Sequence, residues 1–361
     1  MKDEYYMKMA LKLAQKGRGY VSPNPLVGAV IVKEGLIIGR GYHERYGGNH
    51  AEINALNNAS EDVVGSTLYV TLEPCCHEGK TPPCIDSIIK HKIARVVIGT
   101  IDSNPLVSCQ GIDYLQNRGI DVKTGVLEPQ CRELNEVFFH FMETKLPFVT
   151  IKYAQTLDGR IATARGDSQW ISSAPSLKFT HKLRAQHDAI LVGAGTVIKD
   201  NPELTVRLVR GRNPLRIIVD SSLRIPPKSK VLQNLSRNKT IIATIKKASD
   251  PHFQKLTELG AEVITVAADK QENVDLKKLL KILAKRNISS ILVEGGAQII
   301  TSILINDLAN RMVTVIAPKI LGKGIEAVGD LKISNLDLAK ILSIRKIARS
   351  GDDIIIDSRL I

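Results

Sequence analysis

The sequence predicts an α/β protein of two domains, and three observations lead there. Runs of β-branched apolar residues alternate along the chain with segments of helical spacing. At 361 residues and 43% hydrophobic composition the chain is long enough for two cores. Strands begin afresh after Leu146-Pro147, where a long amphipathic stretch has just ended near a proline. The expected domains are therefore 1–146 and 147–361.

In order, residues 2–16 read as an opening helix. LVGAVIV (26–32) reads as a buried strand and LIIGRGY (36–42) as its hairpin partner. A helix is expected from about His50, a strand at TLYVTLE (67–73), and a helix from Cys84 through IDSIIKH. ARVVIGT (94–100) and IDVKTGV (120–126) read as strands flanking the helical GIDYLQNRG. PQCRELNEVFFHFMETK (129–145) reads as one closing helix. The second half supplies FVTIKYA, AILVGAG, LRIIVDS, TIIATI, EVITV, SSILVEGG and RMVTVIAP as strands, with helices between several of them. No solenoid-like repeat or low-complexity tract interrupts this.

Composition narrows the class. Five cysteines, an odd number, argue against a disulfide framework and suit a reducing compartment. Charges scattered through MKDEYYMKMALKLAQKGRGY exclude a signal peptide or membrane span there, so a cytoplasmic location is expected. A net charge of +13 suits either nucleic acid or phosphorylated metabolites. The basic residues are spread along the chain rather than gathered in one run, which favours metabolites.

The stretch 74-PCCHEGKTPPC-84 carries three of the cysteines. Cys75 follows a strand and a proline, and Cys84 opens a helix after Pro82-Pro83. Both then lie on one rim of the sheet, where α/β proteins build their sites. Upstream, 49-NHAEINAL-56 places His50 at a helix start with Glu52 two positions on. A helix-opening histidine alone reads as a cap, and a lone cysteine as a small apolar residue. Together, His50, Glu52, Pro74, Cys75 and Cys84 form the grouping of zinc deaminases acting on nucleobases, in which the glutamate is not a ligand. Two thiolates and an imidazole leave one zinc position open for a water whose pKa the metal lowers. Glu52 then takes the water's proton and returns it to the ring nitrogen and the departing ammonia. Cys76 reads as a packing residue near the site; Cys109 and Cys131 read as core.

The wide spacing of Cys75 and Cys84, with VSPNPLVGAV (21–30), resembles the deaminase half of the bifunctional riboflavin-biosynthesis deaminase–reductases. KYAQTLDGRIA, DSQWISS, GAGTVIKDNPELTVR, LVEGGA and APKILG, in that order, resemble the reductase half, so the similarity covers essentially the entire chain. It implies a cytidine-deaminase-like zinc domain followed by a dihydrofolate-reductase-like domain. It further implies one zinc per chain, NADPH, and a pyrimidine bearing a phosphoribosylamino group. Asn24, His43, His77 and Lys80 would contact that substrate in the first domain. One departure is 102-DSNPLVSCQG-111, where Ser103 and Cys109 stand in place of the family's usual proline and glycine.

The second domain contains no G-x-G-x-x-G, so an ordinary dinucleotide fingerprint is absent. GAGTV (193–197) and the strand–Gly–Gly–helix of 291–304 could each expose backbone N–H groups to a phosphate, or be turns with no ligand. The resemblance raises both to NADPH contacts, with Ala154, Trp170, Thr196, Asp200, Ser222, Gly296, Ala297, Gln298, Ile299, Ile300, Thr301 and Ser302 facing the cofactor. It assigns Ser168, Arg184, Leu204, Arg207 and Glu294 to the substrate, the two arginines as forked phosphate ligands. Without it, Trp170 reads as core. The proton donor for reduction is open among Asp200, Glu294 and Lys152, in that order. The expected partners are the phosphorylated small molecule and further copies of this chain, with no nucleic acid and no membrane. Two other classes stay open. A tRNA adenosine deaminase would normally show a short C-x-x-C, and a non-catalytic regulator would lack Glu52 or a ligand.

Overall fold

The computed structural model describes residues 2–76, 82–103 and 110–361. The chain divides into two compact units, Met1–Lys145 and Leu146–Ile361. No described helix is long and apolar enough to cross a membrane.

The first unit runs α1 (Lys2–Ala14), β1 (Gly28–Lys33), β2 (Leu36–Tyr42), α2 (Ala51–Asn57), β3 (Thr67–Leu72), α3 (Cys84–Lys90) and β4 (Arg95–Thr100). Then follow α4 (Gln110–Gln116), β5 (Asp121–Lys123), α5 (Glu128–Leu134) and α6 (Glu136–Thr144). Its sheet has the order β2-β1-β3-β4-β5, antiparallel around β1 and parallel from β3 to β5. Small residues let helices press onto it. A Cβ on Gly28 would fall 2.0 Å from the Ala10 carbonyl oxygen of α1. One on Gly41 would fall 2.2 Å from the carbonyl oxygen of Ala51 and 2.3 Å from the amide of Ala55, both on α2. Close approach through glycine and alanine thus sets where α2 begins, and with it His50 and Glu52.

The second unit runs β6 (Phe148–Thr156), β7 (Arg160–Thr163), α7 (Ala174–Gln186), β8 (Ala189–Gly193), α8 (Ala194–Asp200), β9 (Leu215–Val219), β10 (Thr240–Thr244), α9 (Pro251–Glu258) and β11 (Glu262–Thr265). It continues with α10 (Leu276–Ala284), β12 (Ser290–Val293), α11 (Ala297–Ile305), β13 (Arg311–Ala317), β14 (Gly324–Glu326), β15 (Leu342–Ser350) and β16 (Asp353–Leu360). The nine-stranded order is β11-β10-β9-β8-β12-β6-β13-β16-β15, parallel from β11 to β13. β12 returns late in the chain to lie between β8 and β6, so the C-terminal ends of those three strands meet where the strand order reverses. The helix α10 buries Leu276, Leu279, Leu280 and Leu283, an i, i+3, i+4, i+7 spacing that presents one apolar face, and Asp275 caps it by accepting from the Lys278 amide at 3.0 Å.

Three readings change. The expected helix 129–145 is two helices, α5 and α6, broken at Asn135. The cause is tertiary: the Asn135 amide clamps the backbone of Leu26, accepting from its N–H at 2.8 Å and donating to its carbonyl at 2.9 Å. The strand expected over 120–126 shortens to Asp121–Lys123. Four strands, β7, β14, β15 and β16, have no counterpart in the sequence reading. In β15 a bulge between Ile344 and Lys346 puts Ile344 opposite Ser358 and Ile347 opposite Ile356, on one face although three residues apart. The leucines of α10 and the apolar residues of α11 cover this face as far as Met312. Beyond them Ile344, Ile347 and Ile354 are 59, 62 and 45% exposed.

Candidate functional site

In the first unit, the end of β3 delivers Cys75, the start of α3 delivers Cys84, and His50 sits at the N-cap of α2. Their ligand atoms all lie within 4.8 Å of one another. His50 Nδ1 is 3.2 Å from Cys84 Sγ and 3.4 Å from Cys75 Sγ. Zinc bonds of about 2.3 Å to sulfur and 2.0–2.1 Å to nitrogen, set tetrahedrally, would separate such atoms by about 3.6 Å, so the donor set fits the ion. The two thiols share one proton unequally. Hydrogen bonding with Cys84 brings Cys75 down to about 4 against the cost of burial, with His50 assisting. The same hydrogen bond and burial drive Cys84 well above its ordinary value. A thiolate facing an imidazole is a site made for a cation.

Glu52 is 3% exposed beside this triad. Burial pushes its carboxyl up to about 7, with His50 opposing. Its Oε2 is buried with no hydrogen-bond partner among the described residues, an acceptor held in reserve for a proton. Burial also lowers His43, whose Nδ1 lies 2.9 Å from the Asn49 carbonyl oxygen. With the proton on Nδ1, Nε2 accepts from Asn24 Nδ2 at 3.2 Å, and the ring meets His50 edge-on at 5.5 Å. Asn24 and His43 therefore belong to one array with the triad. His77 and Lys80 lie outside the described residues, as does Cys109. Cys131 is buried in the core, as read. Cys76 packs partly against the other core, its Sγ 3.9 Å from Gln110 Oε1.

In the second unit, Glu294 just beyond β12 accepts Nε and Nη2 of Arg184 at 2.7 and 2.8 Å, while Arg184 Nη1 donates to the Thr205 carbonyl at 3.0 Å. The Arg184 fork is thus closed on a carboxylate rather than held open for phosphate. This pairing keeps Glu294 below its ordinary value despite burial. Lys152 is buried behind the pair, and burial lowers its ammonium while Glu294 opposes. His181 Nδ1 accepts from the amide of Arg207 at 2.8 Å, and burial, then Arg184 and Arg207, bring it to about 4. A neutral His181 thereby ties the 204–208 loop to α7. Arg207 reaches outward, half exposed, with Glu203 at 3.0 Å. Leu204 has φ of +55° and its side chain is in the core, so only its backbone is free to meet a ligand.

A cavity of about 1350 Å³ opens over the C-terminal ends of β8 and β9. Of the expected cofactor residues it gathers Ser222, Ala297, Gln298, Ile299, Thr301 and Ser302. Thr196 Oγ1 accepts from the Gly296 amide at 3.0 Å, joining the two glycine turns. Gly193 is small for Ile299, to which a Cβ would come within 2.8 Å. Ile300 departs from the expected set: it is fully buried in the core, so only its backbone could reach a cofactor. Ser168 and Asp200 interact with each other. Trp170 is not core but 63% exposed, its carbonyl accepting from Lys319 Nζ at 2.7 Å. Ala154 is half-buried against the cluster beneath α7. The size of the cavity, its glycine approaches and the unpartnered buried Asp220 Oδ1 on its wall suit a dinucleotide with hydroxyl donors.

Residues 147–355 match the family described as the RibD C-terminal domain, and residues 1–100 match the cytidine and deoxycytidylate deaminase zinc-binding region. The riboflavin biosynthesis protein RibD of Aquifex aeolicus is 47% identical over 355 residues, covering 98% of this chain and 97% of that one. The chain belongs to the RibD family. RibD of Escherichia coli is 41% identical over 335 residues, covering 89% of each chain. The solved Thermotoga maritima deaminase/reductase superposes with a TM-score of 0.88 at 40% identity, covering 100% of this chain and 99% of that one. RibD of Acinetobacter baumannii gives 0.90 at 33% identity, with the same coverage. As a RibD protein, the chain is a bifunctional deaminase and reductase of riboflavin biosynthesis, with zinc and NADPH as its cofactors.

Two residues of this RibD chain escaped sequence reasoning. Asn135 looked like an ordinary helix residue; its clamp on Leu26 joins the closing helices to the segment that carries Asn24. Asp220 followed a strand as many turn residues do, and only its burial and unpartnered oxygen mark it out.

Proposed function

We propose that residues 1–146 deaminate 2,5-diamino-6-(5-phosphoribosylamino)pyrimidin-4-one and that residues 147–361 reduce the ribosyl group of the product to ribityl. The observation that carries the first step is a buried glutamate with an unpartnered oxygen beside three convergent zinc donors. His50, Cys75 and Cys84 would hold the ion, which when bound supplies the Lewis acidity that makes water nucleophilic near neutral pH. Glu52, protonating near 7, accepts the water's proton and passes it to the ring nitrogen, then carries the second proton, from the added hydroxyl, to the amino group that leaves as ammonia. Asn24 and His43, with His77 and Lys80, orient the base and its phosphate.

In the second unit NADPH supplies the hydride chemistry, and the chain binds and orients. Arg207 is the phosphate ligand we favour, because its guanidinium is half exposed while that of Arg184 is closed on Glu294. Ser168 and the backbone of Leu204 complete the substrate contacts. Glu294 is held as an anion and suits sugar hydroxyls rather than proton donation. Of the three donor candidates, Lys152 fits best, since burial makes its ammonium readier to give up a proton. The partner is a small phosphorylated pyrimidine, not a nucleic acid. Self-association through the bare face of β15 and β16 is supported by the exposed isoleucines at the sheet edge.

Incubating the purified protein with the pyrimidine, with and without NADPH, tests both assignments. Ammonia release without NADPH, and a ribitylamino product only with it, is the expected result. RNA binding that falls steeply with salt, without turnover of the pyrimidine, would reject them.

A further inference from the structure

The large cavity carries more basic than acidic side chains, Arg224, Lys270, Lys277, Lys278 and Lys281 against Asp220, Asp269 and Asp275. Arg224, from the turn after β9, and Lys270, from the loop before α10, both line it, and Lys277 and Lys281 add to the lining one helical turn apart on α10. Among the described residues none of these four has an ion-pair partner, whereas their neighbour Lys278 folds back to Asp275 at 3.5 Å. The acidic residues of the cavity are already committed to backbone amides. Asp269 accepts from Gln271 and Asn273 at 2.8 and 2.9 Å, Asp275 caps α10, and Asp220 Oδ2 accepts from Ile225 at 2.9 Å. The walls are also tied together. The Val274 amide donates to Ser221 Oγ at 3.1 Å, and Thr244 Oγ1 donates to the Ser221 carbonyl at 3.0 Å. Ala268 and Val274 form a bridge that closes the turn carrying Lys270.

These fixed walls fit a compact dianion better than a diffuse field. A dinucleotide whose nicotinamide end points toward β6 and β12 would lay its adenosine half over β9 and toward α10, where these cations stand. We propose that Arg224 and Lys270 bind the phosphate monoester on the adenosine ribose and so select NADPH over NADH. This rests on the reading of the second unit as an NADPH-dependent reductase. Arg224 can present two N–H groups to phosphate oxygens, and Lys270 adds a point charge from the loop before α10. The unpartnered Asp220 Oδ1 suits the ribose hydroxyl that remains unesterified.

Calorimetry on the full-length protein with adenosine 2′,5′-bisphosphate and with AMP separates the possibilities. The unaltered protein should bind the bisphosphate the more tightly. Arg224→Gln and Lys270→Gln should each weaken it roughly ten- to hundredfold while changing AMP little, the loss scale of a charge-assisted contact. The double variant should bind the two nucleotides alike, and its kcat/KM preference for NADPH over NADH should collapse. Bisphosphate preference that survives in the double variant overturns the proposal but leaves the cofactor reading standing. Equal losses for both nucleotides overturn it too, by showing a structural role. An unaltered protein that binds neither nucleotide removes the cofactor reading itself.

Discussion

Arg184 and Glu294 form a two-pronged ion pair at 2.7 and 2.8 Å with no more than 13% of either side chain exposed. Removing one partner leaves the other buried and unpaired, which commonly costs about 3–5 kcal/mol. Arg184→Ala should therefore lower the unfolding midpoint of the second unit markedly, and Arg184→Lys should recover only part of it, because an ammonium lacks the fork. Denaturant unfolding of the three proteins checks this. A change below about 0.5 kcal/mol in Arg184→Ala would mean the pair is solvated in solution.

The zinc assignment separates neighbouring residues. Glu52→Gln should keep one zinc per chain and the fold while abolishing ammonia release. His50→Ala, Cys75→Ser and Cys84→Ser should each lose the metal, since each removes a donor of the triad. Cys76→Ser should retain both metal and activity. Metal analysis of the purified variants decides between them, and an empty site in Cys76→Ser would require a different ligand set.

Gly41 tests whether close packing positions the triad. A methyl there meets the α2 backbone at 2.2 and 2.3 Å, neither atom being able to swing aside as a side chain would. Gly41→Ala should cost about 1–3 kcal/mol, the usual range for overpacking, and lower zinc occupancy by shifting His50. Normal occupancy with normal stability would show that α2 can slide without disturbing the site.

Asp3 joins α1 to the sheet, accepting from both terminal nitrogens of Arg95 at 3.1 Å, from Lys123 at 2.8 Å and from Tyr69 at 3.0 Å. The Arg95 hydrogen bond is the largest cause holding its carboxyl far below the ordinary 3.8. A depressed folded value means the contribution is present above 3.8 and lost as pH falls through the folded value. Acid unfolding of the first unit should begin below about pH 4, and Asp3→Asn should remove that part of the pH dependence at a cost of roughly 1 kcal/mol at neutral pH. An unchanged acid profile in Asp3→Asn would assign the dependence to other carboxylates.

The bare sheet edge makes a prediction about assembly. If copies of the chain meet through Ile344, Ile347 and Ile354, Ile347→Asp should shift sedimentation toward the monomer without lowering the unfolding midpoint of the isolated chain, since Ile347 is 62% exposed. The same oligomer in both proteins would place the interface elsewhere.

The α/β class of both units and the grouping of His50, Cys75 and Cys84 that folding brings together were legible in the linear chain because they depend on local spacing. Period-2 and period-3.6 patterns mark strands and helices, and His50, Glu52, Cys75 and Cys84 are recognisable from residue type and order alone. What depended on distant contacts was not legible. The break at Asn135 arises from a bond to Leu26, and the strand β15 hides its apolar face behind a bulge that gives isoleucines a helical spacing. The closure of Arg184 on Glu294, 110 residues away, could not be told from an open phosphate fork until folding brought the two together. Likewise only the tertiary structure left Trp170 exposed and turned Ile300 into the core, because burial is decided by what packs against a residue rather than by its type.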